Sequence, residues 1–201
     1  MISFFRNKTI PLAEQWSKLQ EAGIHLQADM DMEQVVAGNS LSWYEEKPYT
    51  HLLISLGEKV CKEDADPDCA YPSDQLWYVD LQAVENTDLY SQLAERMVAM
   101  TGGQLDISHV RSCLDHEQER VLFSFLHGGE RVEWDVQYYS EWVDKSFFDR
   151  IIQLDRQRGG EREFVYMALG QHLLIAYIDQ TQFKLLNKLV DPKFNVWTMK
   201  K

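Results

Sequence analysis

The clearest pattern in the chain is an apolar run and an alternating run on either side of a glycine pair. Residues 121–126 and 131–136 flank Gly128-Gly129, which suits a tight turn with positive φ. The second run alternates apolar with charged side chains, the period of a half-buried strand. An apolar stripe at helical spacing follows over 144–158 and ends at Gly159-Gly160. The pattern predicts a strand–strand–helix unit.

The same order of elements recurs downstream and, more loosely, upstream. Residues 164–169 and 173–178 predict two strands joined at Gly170-Gln171, and residues 181–190 predict the helix after them. The upstream copy consists of strands over 50–56 and 75–81 and a helix from Asn86 or Thr87 to Met100. These three successive ββα units predict an α+β fold, with one antiparallel sheet of about six strands and helices mainly on one face.

The chain before the first unit predicts additional elements. Residues 11–22 form an amphipathic helix with Pro11 in its first turn, residues 31–37 a short helix, and residues 41–44 a short strand. We therefore expect a single α+β domain over residues 1–201, with the N-terminal helical segment 1–45 packed on it.

The predicted hairpin at 164–178 is apolar on both faces, which indicates that both faces are covered. Two arrangements account for this. Either the hairpin is central in the sheet and the N-terminal segment covers its second face, or the second face is a subunit or partner interface. A homodimer formed through this hairpin follows from the second arrangement.

Charge narrows the choice of partner. The chain of 201 residues carries a formal net charge of −12, and its 45% apolar content is typical of a globular protein. This charge argues against nucleic acid or an anionic membrane as the main partner, because both need concentrated Lys and Arg. Residues 41–90 carry net −8, whereas residues 151–201 carry net +3. We expect a cationic protein partner, steered to the acidic section.

The acidic section contains a long connection over residues 58–74, which the pattern places inside the first predicted hairpin. Connections longer than ~12–15 residues without structure of their own are uncommon and are mostly functional or mobile. This one is either a solvated excursion or a surface for the cationic partner, on which carboxylates give orientation and aromatic rings give binding energy. The residues predicted for that surface are Glu63, Asp64, Asp66, Asp68, Tyr71, Asp74, Trp77 and Tyr78.

The sequence contains no complete motif for binding a metal or a cofactor. Counted from Asp64, the acidic run has Cys69 where a calcium loop needs glycine and Gln75 where it needs a bidentate glutamate. Cys113, Asp115 and His116 do not supply the four ligands of a structural zinc site. No dinucleotide or phosphate-binding loop occurs either. We therefore expect no metal and no cofactor.

An enzyme of unrecognised class is the alternative function. Glu133 and Asp135 lie on one face of a predicted strand, an arrangement that suits paired carboxylates, and the 109–116 segment offers histidines. Ser108 and His109 are neighbours on a strand, so we expect their side chains to point to opposite faces. No serine-hydrolase motif is present.

The expected compartment is the cytoplasm. Arg6 interrupts the short apolar start of the chain, so it does not match a secretory signal, and no apolar run approaches the ~20 residues of a membrane-spanning helix. Cys61, Cys69 and Cys113 are an odd and sparse set, typical of reduced thiols. We expect all three to be free.

The second half of the chain resembles the small, acidic α+β immunity proteins that accompany bacterial polymorphic toxins. The resemblance lies in four stretches: Trp134, Glu141-Trp142-Val143-Asp144, Gly170-Gln171-His172, and the terminal helix Gln182-Phe183-Lys184-Leu185-Leu186-Asn187. It implies a cytoplasmic, non-enzymatic protein that binds a cognate toxin domain, often a basic nuclease, and blocks its active site. It carries over no catalytic residue.

Overall fold

The computed structural model describes residues 9–61, 69–82, 88–115, 117–139 and 141–198. The elements in chain order are α1 Leu12–Glu21, α2 Met32–Val36, α3 Leu41–Glu46, α4 Thr50–Gly57, β1 Leu76–Asp80, α5 Leu89–Met100, β2 Ile107–Asp115, β3 Arg120–His127, β4 Glu130–Gln137, α6 Lys145–Arg158, β5 Arg162–Leu169, β6 His172–Asp179, α7 Gln180–Leu189 and β7 Asn195–Val196. Among the described residues, no helix combines the length and apolarity needed to cross a membrane.

The strands form two antiparallel sheets. One has four strands in the order β1-β6-β5-β7, and the other has three strands in the order β2-β3-β4. The α+β class and the antiparallel pairing are confirmed, but the prediction of a single sheet of about six strands is wrong. The reason is that β3 is flanked by β2 and β4, while β6 is flanked by β1 and β5. The two predicted hairpins therefore become parts of separate sheets.

Two predicted strands near the N-terminus are helices. Residues 50–56 lie in α4, all eight residues of which are buried, and residues 41–44 lie in α3, where the Ser40 side chain accepts the Trp43 N–H at the N-cap. The upstream ββα unit therefore does not exist, whereas β3-β4-α6 and β5-β6-α7 confirm the other two units. The 58–74 connection joins a helix to a strand and does not lie inside a hairpin.

The four-stranded sheet is buried on both faces. On one face Val165 and Leu174 pack with Leu19 and Tyr44 of the N-terminal helices, in a core that α4 and α7 also share. On the other face the sheet shares a core with α5, α6 and the inner side of the three-stranded sheet. Helices thus cover both faces, and the prediction that they lie mainly on one face is wrong. The N-terminal segment covers the second face of the 164–178 hairpin, so the apolar patch that suggested a homodimer is internal.

A capping box at α7 fixes the N-terminal helices to the rest of the fold. The Asp179 side chain accepts hydrogen bonds from the backbone N–H groups of Thr181 at 2.7 Å and Gln182 at 2.8 Å. In turn, the Gln182 side-chain oxygen accepts a hydrogen bond from the Asp179 N–H. The Gln182 amide also donates to the Gly23 carbonyl at 2.7 Å. The turn after α1 is therefore held against the start of α7.

The end of α4 approaches β1 closely at a glycine. A Cβ atom on Gly57 would lie 2.8 Å from the backbone nitrogen of Tyr78, closer than any side chain allows. Because only glycine fits, the residue after the helix, Glu58, is brought next to the middle of β1. This contact positions the surface described below.

Candidate functional site

The predicted acidic loop has an ordered base. Its carboxylates Glu63, Asp64, Asp66 and Asp68 lie outside the described residues. Below them Val60 and Ala70 form an antiparallel bridge, with N–H···O distances of 2.8 and 3.0 Å. This bridge brings the neighbouring Cys61 and Cys69 together, and they form a disulfide with a Cα–Cα distance of 4.2 Å.

The disulfide corrects the expectation of three free thiols. Cys113 is the free cysteine and is exposed. The prediction failed because it rested on the odd and sparse set of cysteines, whereas the proximity of Cys61 and Cys69 comes from the strand-like bridge between Val60 and Ala70. Consequently the acidic residues 62–68 are enclosed in a loop closed covalently at its base.

The two aromatic residues predicted on β1 point to opposite faces of the sheet. Trp77 is 5% exposed and packs in the core near Phe148, at a ring distance of 6.3 Å. Because it is buried, Trp77 cannot act as an exposed anchor and is removed from the predicted surface. The cause is strand alternation, which places Trp77 and Tyr78 on opposite faces. Tyr78 is half-buried and lies at the rim of the opposite face.

Tyr71 serves the packing of this region. The Arg96 guanidinium lies over the Tyr71 ring, 3.6 Å from its centre, and donates to the carbonyls of Ser73 at 2.9 Å and Leu76 at 2.7 Å. Burial lowers the pKa of Arg96 to about 10 and raises the pKa of Tyr71. Asp74 is exposed and accepts a hydrogen bond from the Gln27 amide at 2.6 Å. Tyr71 and Asp74 therefore lie on the approach to β1, at the end opposite to Asp80.

A cavity of about 520 Å³ lies between α3, α4 and β1. Trp43 forms one wall and is stacked on His51, with ring centres 4.0 Å apart and planes 8° apart. The His51 Nδ1 also hydrogen-bonds the Trp43 carbonyl at 2.6 Å, so the two rings hold each other in place. Tyr78 and Glu58 also line this cavity.

Two acidic side chains, Glu58 and Asp80, influence the Tyr78 phenol at the rim of the cavity. Burial raises the pKa of Tyr78, and the charges of Glu58 and Asp80 raise it further. Glu58 is exposed to solvent and lines the cavity; partial burial raises the pKa of its carboxyl group, while nearby His172 lowers it. Within the described part of the chain Glu58 has no ion pair. Two carboxylates therefore flank one aromatic ring.

The rim continues from Tyr78 across the end of the sheet. The Tyr78 ring stacks on His172 at 4.8 Å, and the His172 Nε2 lies 3.6 Å from an Asp80 carboxylate oxygen. The Gln171 amide then donates to Asp80 at 3.2 Å and contacts the Gln82 side-chain oxygen at 3.4 Å. This chain of contacts joins the cavity to the turn that follows β4.

That turn presents two exposed aromatic side chains. Trp142 forms backbone bridges with Gln82 and with Tyr139. Trp142 is 46% exposed and Tyr139 is 55% exposed, among the largest exposures of apolar side chains in the described residues. We name the set of residues that these contacts connect, Glu58, Tyr78, Asp80, Gln82, Tyr139 and Trp142, the acidic–aromatic surface.

Sequence reasoning found Tyr78 but missed most of this surface. Glu58 and Asp80 lie within the predicted acidic section 41–90, but neither was among the residues predicted for the binding surface. Tyr139 and Trp142 lie far from them in sequence and become neighbours through the Gln82–Trp142 bridge. The sequence did contain one signal. Tyr139, Glu141 and Trp142 lie close together in a short connection, and Trp and Tyr are enriched in binding hot spots.

The residues of the enzyme alternative do not form a cleft. Glu133 pairs with Arg131 at 2.7 Å and Asp135 with Arg120 at 3.1 Å, on the solvent face of β4. Both carboxylates are mostly exposed and line none of the described cavities. Each of these two carboxylates is therefore already paired with an arginine on a solvent-exposed face.

The Ser108-His109 pair departs from the expectation. A bulge lies between Ser108 and Arg111, and His109 has a φ of 53°. The bulge turns the His109 ring toward its neighbour, so Nδ1 lies 3.2 Å from the Ser108 hydroxyl. The pair is exposed on an edge strand, and His116 lies outside the described residues.

Over the described ranges, no group of three or more His, Cys, Asp or Glu side chains is arranged to hold a metal ion. Searches against family models, curated proteins and solved structures find no match to this chain.

Proposed function

We propose that this chain is a non-enzymatic binding protein that captures a cationic protein through the acidic–aromatic surface. The specific form we propose is an immunity protein that neutralises a basic toxin domain, with residues 62–68 contributing to the net charge of −8 of the section 41–90. The observation that carries the proposal is that two acidic residues meet at Tyr78: Glu58 lines the same cavity, and Asp80 contacts His172, which stacks on the Tyr78 ring.

Electrostatic attraction supports this proposal. The section 41–90, which contains α3, α4, β1 and the acidic loop, carries net −8. Such a concentration of one sign accelerates encounter with an oppositely charged protein and orients it on arrival. Because exposed charges are screened by salt, this contribution weakens as ionic strength rises.

Aromatic anchors supply the second requirement of a protein interface. Trp and Tyr dominate binding hot spots because they bury large areas and keep a polar group for hydrogen bonding. Trp142 and Tyr139 are exposed at one end of the surface, and Tyr78 lies half-buried at the other. A partner that covers all three removes their apolar area from water while its cations meet Glu58 and Asp80.

We further propose a cytoplasmic location, as the resemblance to immunity proteins implies. The Cys61–Cys69 disulfide is unusual for that compartment, where thiols are kept reduced. In a reducing compartment we expect the acidic loop to be held by the Val60–Ala70 bridge alone. Counting free thiols on protein extracted under alkylating conditions distinguishes the two states.

The experiment is co-expression with the protein encoded by the adjacent gene, followed by size-exclusion chromatography. We expect an equimolar complex whose affinity falls as NaCl rises from about 0.1 M to about 1 M, because the Debye length shrinks from ~10 Å to ~3 Å. Trp142→Ala is expected to weaken binding by roughly 30-fold or more, the loss typical of a hot-spot residue.

Leu122→Ala is the matched control, because Leu122 is 42% exposed on the outer face of the other sheet. It is expected to leave the affinity unchanged. The proposal fails if the adjacent gene product forms no complex, or if Trp142→Ala and Leu122→Ala affect the complex equally.

A further inference from the structure

We propose that the cavity between Trp43 and Tyr78 receives one arginine side chain of the partner. This inference rests on the proposed function, because it names the chemical group that the acidic–aromatic surface recognises. The cavity is open to solvent, and its volume of about 520 Å³ lies within the range of ~300–1,000 Å³ typical of ligand pockets.

The walls suit a planar cation. Guanidinium groups stack on aromatic faces through cation–π attraction and dispersion, and are hydrated more weakly than ammonium groups. The Trp43 ring is held by stacking on His51, and the Tyr78 ring by stacking on His172. Both aromatic walls are therefore fixed before a guest arrives, which lowers the entropic cost of binding.

Aliphatic side chains complete the lining. Ile54 from α4 and Leu169 from β5 contribute apolar surface to the same cavity. The stem of an arginine is apolar and packs well along such surface while the charged head reaches a polar group. The cavity thus offers separate surfaces for the two parts of the side chain.

The polar group is Glu58. Glu58 lines the cavity and has no ion pair within the described residues, and the nearby titratable group is His172, which is stacked on Tyr78. A guanidinium opposite a carboxylate forms two parallel, charge-assisted hydrogen bonds. Lys47 also lines the cavity and opposes a cationic guest, but it is exposed at the mouth, where its flexible chain can extend into water. His51 contributes a ring to the lining and is engaged with Trp43 through Nδ1.

The test is an NMR titration of the ¹⁵N-labelled full chain with N-acetyl-L-arginine methylamide. The citrulline analogue serves as the neutral comparator of the same shape, and the lysine analogue as a non-planar cation. We expect saturable shifts at the amides of Gly57, Leu169 and Gly170 with the arginine probe, weaker shifts with lysine, and none with citrulline.

Two variants locate the binding. Glu58→Gln is expected to weaken the arginine probe by roughly fivefold, the effect of one partly exposed charge pair. Glu95→Gln is the control, because Glu95 is an exposed acidic residue of α5 that does not line the cavity, and it is expected to change nothing. Equal binding of the citrulline or lysine probe, absence of saturation, or equal effects of the two variants would overturn the inference.

These outcomes are separable from failure of the proposed function. If the adjacent gene product binds and Trp142→Ala weakens that complex, but the arginine probe gives no saturable shifts, the surface stands and the arginine pocket fails. If the probe binds as expected but no complex forms with the adjacent gene product, the pocket stands as a cation site and the proposed function fails.

Discussion

The contact between α4 and β1 predicts a large effect of a single methyl group. In Gly57→Ala the added Cβ would lie 2.8 Å from the backbone nitrogen of Tyr78 and 3.1 Å from the carbonyl carbon of Trp77. Both neighbours are backbone atoms of a paired strand, so neither can rotate away. Overpacking of this kind costs ~1–3 kcal/mol, while replacing glycine by alanine gains up to ~1 kcal/mol in a helix interior and less at Gly57, the last residue of α4. We expect a net loss of about 1–2 kcal/mol.

Thermal unfolding followed by circular dichroism measures this loss. For a chain of this size about 1 kcal/mol corresponds to ~2–4 °C, so the midpoint should fall by about 2–8 °C. Gly38→Ala is the control, because no atom lies within 4 Å of its added Cβ, and it should be neutral or raise the midpoint slightly. If Gly57→Ala is as stable as the wild type, the close approach of α4 to β1 is incorrect.

Three further predictions concern other parts of the fold. Asp179→Ala should cost ~1 kcal/mol in urea unfolding and Asp179→Asn less, because the side-chain oxygen at this N-cap accepts two backbone N–H groups; equal losses would contradict the capping role. Burial raises the pKa of Tyr90 from 10.0 to about 12, which means that the fold favours the neutral phenol. The stabilisation is complete below pH 10 and is lost as the pH rises from 10 to about 12; Tyr90→Phe should flatten the stability profile in that window, and an unchanged slope would contradict it. Thiol titration of the oxidised, denatured chain should find Cys113 alone, and reduction should add Cys61 and Cys69; three thiols before reduction would exclude the disulfide.

The sequence predicted the elements whose periodicity is unambiguous. The hairpins 121–136 and 164–178 alternate or are bounded by glycine turns, and the helices 144–158 and 181–190 carry a one-sided apolar stripe. Each of these was confirmed. The error over 50–56 has a physical cause, because α4 is buried on every side and therefore lacks the one-sided apolar stripe that distinguishes a helix from a buried strand.

The sheet arrangement and the site required information that no local pattern holds. Whether the 121–136 hairpin joins the 164–178 hairpin depends on long-range pairing, which the sequence alone leaves open. The same is true of Trp142, whose proximity to Asp80 depends on a bridge to Gln82 and on the Gln171 side chain. The burial of Trp77, in contrast, could be predicted locally. Because side chains alternate along a strand, Trp77 and Tyr78 cannot both lie on the same face.

Hydrogen exchange of the chain with and without the adjacent gene product tests the central claim most directly. The claim is that a cationic protein covers the acidic–aromatic surface. We predict slowed exchange in three segments, 57–60, 76–82 and 139–143, and the arginine pocket adds the turn at 169–172, with β2, β3 and β4 unaffected. Slowed exchange on the three-stranded sheet instead, or unchanged exchange in all three segments at saturating partner, would contradict the claim.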